Sequence, residues 1–304
     1  MQFLDEDKVR SLLTWESLIP AVERALTNLS TGKLQQPLRT VLRIPDETTH
    51  ETRGFLALMP AVDGDLMGVK LVTFFERNTT VPTHQAVIQL LSAKTGEPLI
   101  AMDGRLITEM RTAAVSAIAA RLLAPNPSKI LAILGSGVQA RSHLRALRLI
   151  RNFQEVRVWS RTAENARRFA SEFGVTVVDT AEAAARGADV VVNVAAVREP
   201  LVRGEWLAPN SLVCAVAVVT PDRRELDDAA MNAAIIVESR EAALRESGDL
   251  IGSGQTVYAE IGEILAGSRP IPQGRVVLKS LGVAACDLAA ATIVWQASQN
   301  DASA

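Results

Sequence analysis

The stretch KILAILGSGVQA, residues 129–140, decides the fold of this chain. It begins with a continuous apolar run and turns through a Gly-x-Gly-x-x-Ala motif, formed by Gly135, Ser136, Gly137, Val138, Gln139 and Ala140. Beyond the turn, Leu144 and Leu147 follow at helical spacing. Rossmann domains hold a dinucleotide pyrophosphate where a buried strand enters a helix through such a turn. The motif also fits a glycine turn without a cofactor, but its setting between strand and helix favours a phosphate cradle.

Each small residue of the turn has a physical reason to be there. Gly135 permits the tight turn, Gly137 lets the backbone approach a pyrophosphate, and Ala140 lets the helix pack closely on the strand. The first turn of the helix adds free N–H groups and the positive end of its dipole. We therefore expect residues 135–140 to bind the cofactor phosphates.

The strand after the turn indicates which dinucleotide binds. NAD enzymes usually carry Asp or Glu at the end of this strand, about 20 residues beyond the glycines, to hold the ribose 2′-OH. Here the run VRVW ends in Ser160, Arg161 and Thr162. A guanidinium and two hydroxyls suit a phosphate, so we expect NADP(H) to be preferred, with NAD(H) possible. The alternative is that Arg161 is a solvated residue at the start of a helix.

Apolar runs on both sides of this stretch predict two kinds of sheet. After it, VTVVD, DVVVNVA, IIVES and RVVLKS alternate with helical segments, which predicts a doubly wound parallel sheet over residues 125–282. Before it, LRTVLRI, GFLALMPAV, GVKLVTFF and HQAVIQLL are separated by Asp, Gly and Pro, which predicts a mostly antiparallel sheet. An Ala-rich helix from about Leu106 to Leu123 should end at Pro125 and Pro127. The predicted class is α/β, a Rossmann domain plus an α+β N-terminal domain.

Composition excludes several kinds of protein. The 304 residues carry a net charge of −2, and no Lys/Arg run is interleaved with aromatics, so no nucleic-acid partner is expected. Two cysteines and three scattered histidines do not form a metal motif, so no metal is expected. The N-terminal residues lack a signal peptide's apolar core, and no apolar run reaches membrane-spanning length. A cytoplasmic protein without a membrane partner is expected.

Motifs spread along the chain carry a family resemblance. They include QPLRTVL, GVKLVTFF, PTHQAVIQLL, MDGRLITEMRTAAVSAIAA, ILGSGVQARSH, VWSRT, PDRRELDD, YAEIGEILAG and KSLGVAACDLAAA. In these segments the chain resembles the ornithine cyclodeaminase/μ-crystallin family, and in detail its μ-crystallin and ketimine reductase branch. The resemblance implies that a substrate and dimerisation domain, residues 1–124 with 283–304, accompanies the Rossmann domain in a homodimer.

The resemblance also implies roles for particular residues. Arg39 matches a family arginine that faces the substrate, Lys70 a lysine that contacts it, and Arg111 the arginine that binds its carboxylate. Thr112 would approach the cofactor phosphates, and Thr83 would lie near the cofactor. The implied activity is NAD(P)(H)-dependent oxidation or reduction at the C–N bond of a small amino or imino acid, as in ketimine reductases and amino-acid dehydrogenases. Lys70, close to two cations, could have a lowered pKa and move a proton.

One departure separates this chain from the cyclodeaminase proper. The position of that enzyme's acid/base aspartate is Val219, and a glycine usual in the same segment is Ala217. Deamination needs an activated water, whereas hydride transfer does not, so the sequence favours an oxidoreductase. Two alternatives remain at this stage: an ornithine cyclodeaminase, which is an ammonia-releasing lyase, and a small-ligand binding protein regulated by NADPH.

Overall fold

A computed structural model describes residues 2–46 and 52–303, with side chains described as far as residue 300. The strands are β1 (Phe3–Leu4), β2 (Leu34–Gln35), β3 (Thr40–Pro45), β4 (Thr52–Asp63), β5 (Leu66–Phe74), β6 (His84–Ser92), β7 (Pro98–Asp103), β8 (Ile130–Leu134), β9 (Glu155–Trp159), β10 (Thr176–Val177), β11 (Val190–Asn193), β12 (Leu212–Ala215), β13 (Ala234–Val237), β14 (Val257–Glu260) and β15 (Val276–Lys279). The helices are α1 (Glu6–Leu12), α2 (Trp15–Ser30), α3 (Arg105–Leu123), α4 (Val138–Ile150), α5 (Ala163–Phe173), α6 (Ala181–Ala185), α7 (Asp228–Met231), α8 (Arg240–Glu246), α9 (Gly248–Ser253), α10 (Ile261–Leu265) and α11 (Ala284–Ser303), with a 3₁₀ turn at Gly204–Trp206. No helix within the described ranges combines the length and apolarity needed to cross a bilayer.

The chain divides into two compact units. The first comprises Met1–Arg111 and Val283–Ala304, and the second comprises Thr112–Gly282. The first dividing point lies inside α3, whereas the sequence placed the boundary after residue 124. The prolines that follow α3 mark where the helix ends at Leu123, which is a different point in the chain from the division between the compact units.

The first unit is built on a sheet with the strand order β1-β7-β6-β5-β4-β2, and β3 also pairs with β4. Strands β4 to β7 are antiparallel neighbours, and β1 joins β7 in parallel at the edge. Side chains alternate between the two faces, so Met59, Lys70 and Ile88, which are paired across β4, β5 and β6, share the buried face. The predicted α+β organisation is confirmed.

Helix α11 covers the buried face of this sheet. It packs against α2 and against β4, β5 and β6. Gly68 permits the close approach, because a Cβ at this position would come within 3.2 Å of Leu288 Cδ1 on α11. The C-terminal helix is therefore held directly over the strand that carries Lys70.

The second unit is a fully parallel sheet with the strand order β10-β9-β8-β11-β12-β15-β13-β14. Its central strands are buried on both faces, as the unbroken apolar runs predicted. The Rossmann class is thereby confirmed. The sequence did not predict β14, which overlaps the start of the YAEIGEILAG segment. It also did not predict that β15 inserts between β12 and β13.

Candidate cofactor and substrate sites

The Gly-x-Gly turn in the second unit begins directly after β8. Gly135 has a φ of 119°, in the region that favours glycine. A Cβ here would also lie 3.1 Å from the backbone of Val194 and Ala195, which follow β11. Both constraints explain why this position of the predicted motif is a glycine.

The rest of the turn leaves room for a phosphate group. Gly137 is the N-cap of α4 without a capping side chain, and the place of its missing Cβ is open for 4 Å. Val138 is exposed, whereas Ala140 is buried and packs the helix against the strand. Gln139 Oε1 is buried and has no hydrogen-bond partner among the described residues. Open space and uncapped N–H groups fit a dinucleotide pyrophosphate.

The structure brings two predicted cofactor residues together. Ser136 Oγ donates a hydrogen bond of 3.0 Å to Ser160 Oγ, which joins the turn to the end of β9. Arg161 and Thr162 are exposed and lead into α5, where Thr162 is an N-cap without a side-chain hydrogen bond. This group of hydroxyls and a guanidinium lies where Rossmann domains recognise the adenosine ribose.

A buried charged cluster lies in the first unit. Asp287 on α11 accepts a hydrogen bond of 3.0 Å from Arg111 Nε on α3. Its second oxygen lies 2.7 Å from Lys70 Nζ on β5. All three side chains are at least nine-tenths buried. A single carboxylate therefore joins two of the three predicted substrate cations, and the cluster has a net charge of +1.

The cluster shifts the pKa values of its members. Burial lowers the pKa of Lys70 to about 8, with Arg111 and Arg39 acting in the same direction and Asp287 in the opposite one. Burial alone would raise the pKa of Asp287, but Arg111 and Lys70 outweigh it and hold this pKa below its usual value. The aspartate is therefore charged at neutral pH, and Lys70 is able to gain or lose a proton near neutrality.

The remaining predicted residues occupy several positions. Arg39 is half-buried, close enough to influence the Lys70 pKa, and the nearby Gln36 Oε1 accepts a hydrogen bond of 2.9 Å from Ala285 N on α11. Thr83 precedes β6, and its carbonyl accepts a hydrogen bond of 2.8 Å from Phe75 N. Thr112 is buried in α3 and is the first residue of the second unit.

His84 is a further titratable group on the buried face of the first sheet. It pairs with Phe74 and shares a face with Lys70. Burial lowers the pKa of His84 to about 4, and the charges of Lys70 and Arg111 add to this effect. The imidazole is therefore neutral at physiological pH. His84 was not among the predicted site residues.

A second buried cluster supports the segment after β12 in the second unit. Lys279 donates to Glu225 Oε1 and, at 2.6 Å, to the carbonyl of Val218, and it lies 2.9 Å from Asp249 Oδ2. Glu225 also accepts from the backbone N–H of Val218 at 3.2 Å. Burial would lower the pKa of Lys279, but the two carboxylates raise it, so the lysine stays charged. The cluster fixes the backbone next to Val219.

Asp287 was not among the predicted site residues, although it lies within the KSLGVAACDLAAA motif. A single acidic residue within the apolar run VAACDLAAA is a signal, because a buried carboxylate requires a cationic partner. The partners lie 176 and 217 positions away along the chain, so the sequence alone could not name them.

No set of three or more His, Cys, Asp or Glu side chains in the described part of the chain is placed to hold a metal ion.

Known proteins resemble this chain over almost its whole length. Ketimine reductase mu-crystallin of Mus musculus is 46% identical over 305 residues, which covers 96% of each sequence. Thermococcus litoralis Δ1-pyrroline-2-carboxylate reductase, solved in complex with NADH and L-proline, is 33% identical, with a TM-score of 0.91 and coverage of 99% of this chain and 98% of that one. An archaeal alanine dehydrogenase dimer with bound NAD is 30% identical, with a TM-score of 0.92 and coverage of 99% and 97%.

The family assignment follows from these matches. The model of the ornithine cyclodeaminase/mu-crystallin family matches residues 1–301. This span includes the glycine turn as well as Lys70, Arg111 and Asp287. The resemblance seen in the sequence motifs is confirmed, and the chain belongs to the ornithine cyclodeaminase/mu-crystallin family.

Proposed function

We propose that this chain is an NAD(P)(H)-dependent oxidoreductase that reduces the C=N bond of a small imino acid. The buried cluster of Lys70, Asp287 and Arg111 carries the proposal, because it offers a net positive charge and a lysine able to transfer a proton. The similar mouse and Thermococcus proteins are named as reductases of ketimines and of pyrroline-2-carboxylate. An α-imino acid, with its carboxylate and its basic nitrogen, matches both features of the cluster.

The cations have separate tasks in this proposal. Arg111 binds the substrate carboxylate, since a planar guanidinium fixes both its position and its orientation. Arg39, which is close enough to Lys70 to lower its pKa, adds further positive charge to the substrate site. Asp287 holds Lys70 and Arg111 in place, so that they are already arranged when the substrate binds.

Lys70 supplies the proton of the reaction. Reduced nicotinamide, when bound, supplies a hydride. The Lys70 ammonium donates a proton to the imine nitrogen, and the imine carbon accepts the hydride. One proton and one hydride convert C=N to HC–NH, a two-electron reduction. In the reverse direction neutral Lys70 accepts the proton from the amine.

NADP(H) is the proposed preferred cofactor. The end of β9 carries Ser160, Arg161 and Thr162 rather than a carboxylate, which would repel a 2′-phosphate. Arg161→Ala should therefore remove most of the preference for NADPH over NADH. Fluorescence titration with both cofactors checks this, and equal affinities in the unmutated protein would contradict it.

Val219 disfavours the ammonia-releasing alternative. It packs against the apolar core of the second unit and cannot move a proton to or from water. The adjacent Val218 is held by Lys279 and Glu225 through its backbone. The backbone of this segment is thus held in place, but position 219 carries no group that could act as an acid or a base.

A homodimer formed through the first unit is also proposed. The face of its sheet that is opposite α11 exposes a set of apolar side chains, Leu42, Ile44, Val62, Leu71 and Val87. Leu71 is 40% exposed in the middle of the sheet, between Leu58 and Val87 on the neighbouring strands. An exposed apolar sheet face of this kind is typical of a protein interface.

An NADPH-oxidation screen tests the proposed activity. The panel contains cyclic ketimine carboxylates, and α-keto acids with amines, each compared with a matched compound that lacks the carboxylate. Oxidation of NADPH with the carboxylates, together with the formation of the amine, is expected. Release of ammonia without net cofactor oxidation would identify a lyase, and tight ligand binding without turnover would identify a binding protein. Either result would overturn the oxidoreductase proposal.

A further inference from the structure

Arg141 reaches back from α4 to the glycine turn. Its Nη1 donates a hydrogen bond of 2.7 Å to the carbonyl of Ser136. The side chain of the same serine donates to Ser160 Oγ at the end of β9. One guanidinium and two hydroxyls thus form a continuous polar group between the turn and the strand end. The sequence motif did not assign a role to Arg141.

The surroundings hold this guanidinium in a fixed orientation. Its Nε donates to Glu172 Oε2 at 2.9 Å, and its central carbon lies 5.7 Å from the ring centroid of the buried Phe169. The side chain is 30% exposed. Within the described residues, no hydrogen bond engages Nη2, so one edge of the guanidinium remains available to an anion.

We propose that Arg141 is a specificity-determining residue that binds the 2′-phosphate of NADP(H) together with Ser136 and Ser160. This inference rests on the proposed dinucleotide-binding function and extends it to a residue outside the motif. A phosphate monoester on the adenosine ribose is the feature that distinguishes NADP from NAD, and arginine with hydroxyl donors suits its oxygens. Arg161 follows Ser160 in the chain and supplies a second cation.

The charge balance around Arg141 yields a second consequence. Glu172 pairs with Arg141 and also lies 3.6 Å from Arg145. Its carboxylate offsets part of the positive charge that a phosphate would meet. Removal of this charge should strengthen NADPH binding, whereas NADH, without the 2′-phosphate, should be little affected.

Arg145 provides a matched control on the same helix. It shares Glu172 with Arg141, and its guanidinium lies over Phe173, as that of Arg141 lies over Phe169. It is one helical turn further from the glycine turn. Arg145→Ala therefore removes an equivalent charge, ion pair and ring contact without touching Ser136.

The experiment measures dissociation constants by fluorescence titration of the full chain with NADPH and NADH. Adenosine 2′,5′-bisphosphate and adenosine 5′-monophosphate, as competitors, isolate the contribution of the 2′-phosphate. Arg141→Ala should weaken NADPH and the bisphosphate about tenfold or more, as expected for a lost charge-assisted hydrogen bond. NADH and the monophosphate should change less than about twofold, and Arg145→Ala should leave all four nearly unchanged. Glu172→Gln should tighten NADPH selectively.

Three outcomes would overturn the proposal. If Arg141→Ala weakens both dinucleotides equally, Arg141 only supports the Ser136 carbonyl. The second outcome is that the Arg141→Ala variant keeps the NADPH preference of the unmutated protein and that Glu172→Gln does not change this preference. In that case Arg141 does not bind the 2′-phosphate. If the unmutated protein binds neither dinucleotide, the proposed function fails as well, which distinguishes this case from the other two. Arg141→Gln, which keeps most of the side chain, replaces the alanine variant if that variant unfolds.

Discussion

Asp287 and Lys70 form an ion pair of 2.7 Å in which both side chains are 2% exposed. They come from α11 and β5, which belong to the two separate segments of the chain that form the first unit. The same carboxylate also accepts a hydrogen bond from Arg111, so two cations share one anion. This sharing explains how the unit can bury two positive charges side by side.

Asp287→Asn should shift the pH dependence of imine reduction. The aspartate raises the pKa of Lys70, so its loss should lower that pKa below about 8. The pH above which kcat/KM declines should then move downward, and turnover at neutral pH should fall. Uncompensated cations should also destabilise the fold by about 3–5 kcal/mol. Steady-state kinetics across pH and urea unfolding measure the two effects.

Thr292→Val is the control for this variant. It lies on the same helix, and its hydroxyl bonds only to the carbonyl of Leu288 among the described residues. It should leave the pH profile unchanged. An Asp287→Asn enzyme with an unshifted profile would show that the aspartate does not tune Lys70.

Lys70 should set the alkaline limit of the reduction. Its ammonium is the proposed proton donor, and its pKa is about 8. The value of kcat/KM for an accepted ketimine should therefore be constant below pH 8 and fall about tenfold per pH unit above it. Oxidation of the amine requires neutral lysine and should show the opposite trend. Lys70→Ala should chiefly lower turnover and abolish the decline of kcat/KM above pH 8. A variant with full turnover across the pH range would show that solvent supplies the proton.

Local signals predicted the second unit better than they predicted the cluster. The turn at Gly135 and Gly137 is encoded within a few residues, because the strand, turn and helix all lie next to each other in the chain. Unbroken apolar runs likewise identified most of the parallel strands. β14 was not predicted, since it is short and half-buried and precedes a helix directly.

Long-range contacts explain what the sequence could not provide. The pairing of Lys70 with Asp287 depends on how α11 packs over β5, and no spacing rule connects residues so distant. Family resemblance supplied Arg39, Lys70 and Arg111 as candidates, but it did not supply the carboxylate between two of them. Nor did it reveal that Arg141 reaches the turn, because a helix-surface arginine is ordinary in a sequence.

Arg111→Ala should weaken substrate binding by about 2–4 kcal/mol, which includes the cost of leaving a partly buried charge unpaired. The affinity for NADPH should change less than about tenfold, because the glycine turn belongs to the other unit. Arg111→Lys keeps the charge but loses the planar fork, so it should recover only part of the binding. Steady-state kinetics on an accepted ketimine, with NADPH titration in parallel, provides both measurements. Unchanged apparent substrate affinity in the alanine variant would remove Arg111 as the carboxylate anchor.

Leu42→Lys should convert the proposed dimer to a monomer. Leu42 is 53% exposed on β3, opposite Leu56 on the outer face of the first sheet. A lysine buried at this interface would lose its hydration without gaining a partner, and that cost opposes association. Light scattering at micromolar concentration should give a dimer mass for the unmutated protein and a monomer mass for the variant. Leu244→Lys is the control, because Leu244 is 54% exposed on α8, which belongs to the second unit. A monomer mass for the unmutated protein, or loss of the dimer in both variants, would contradict an interface on the outer face.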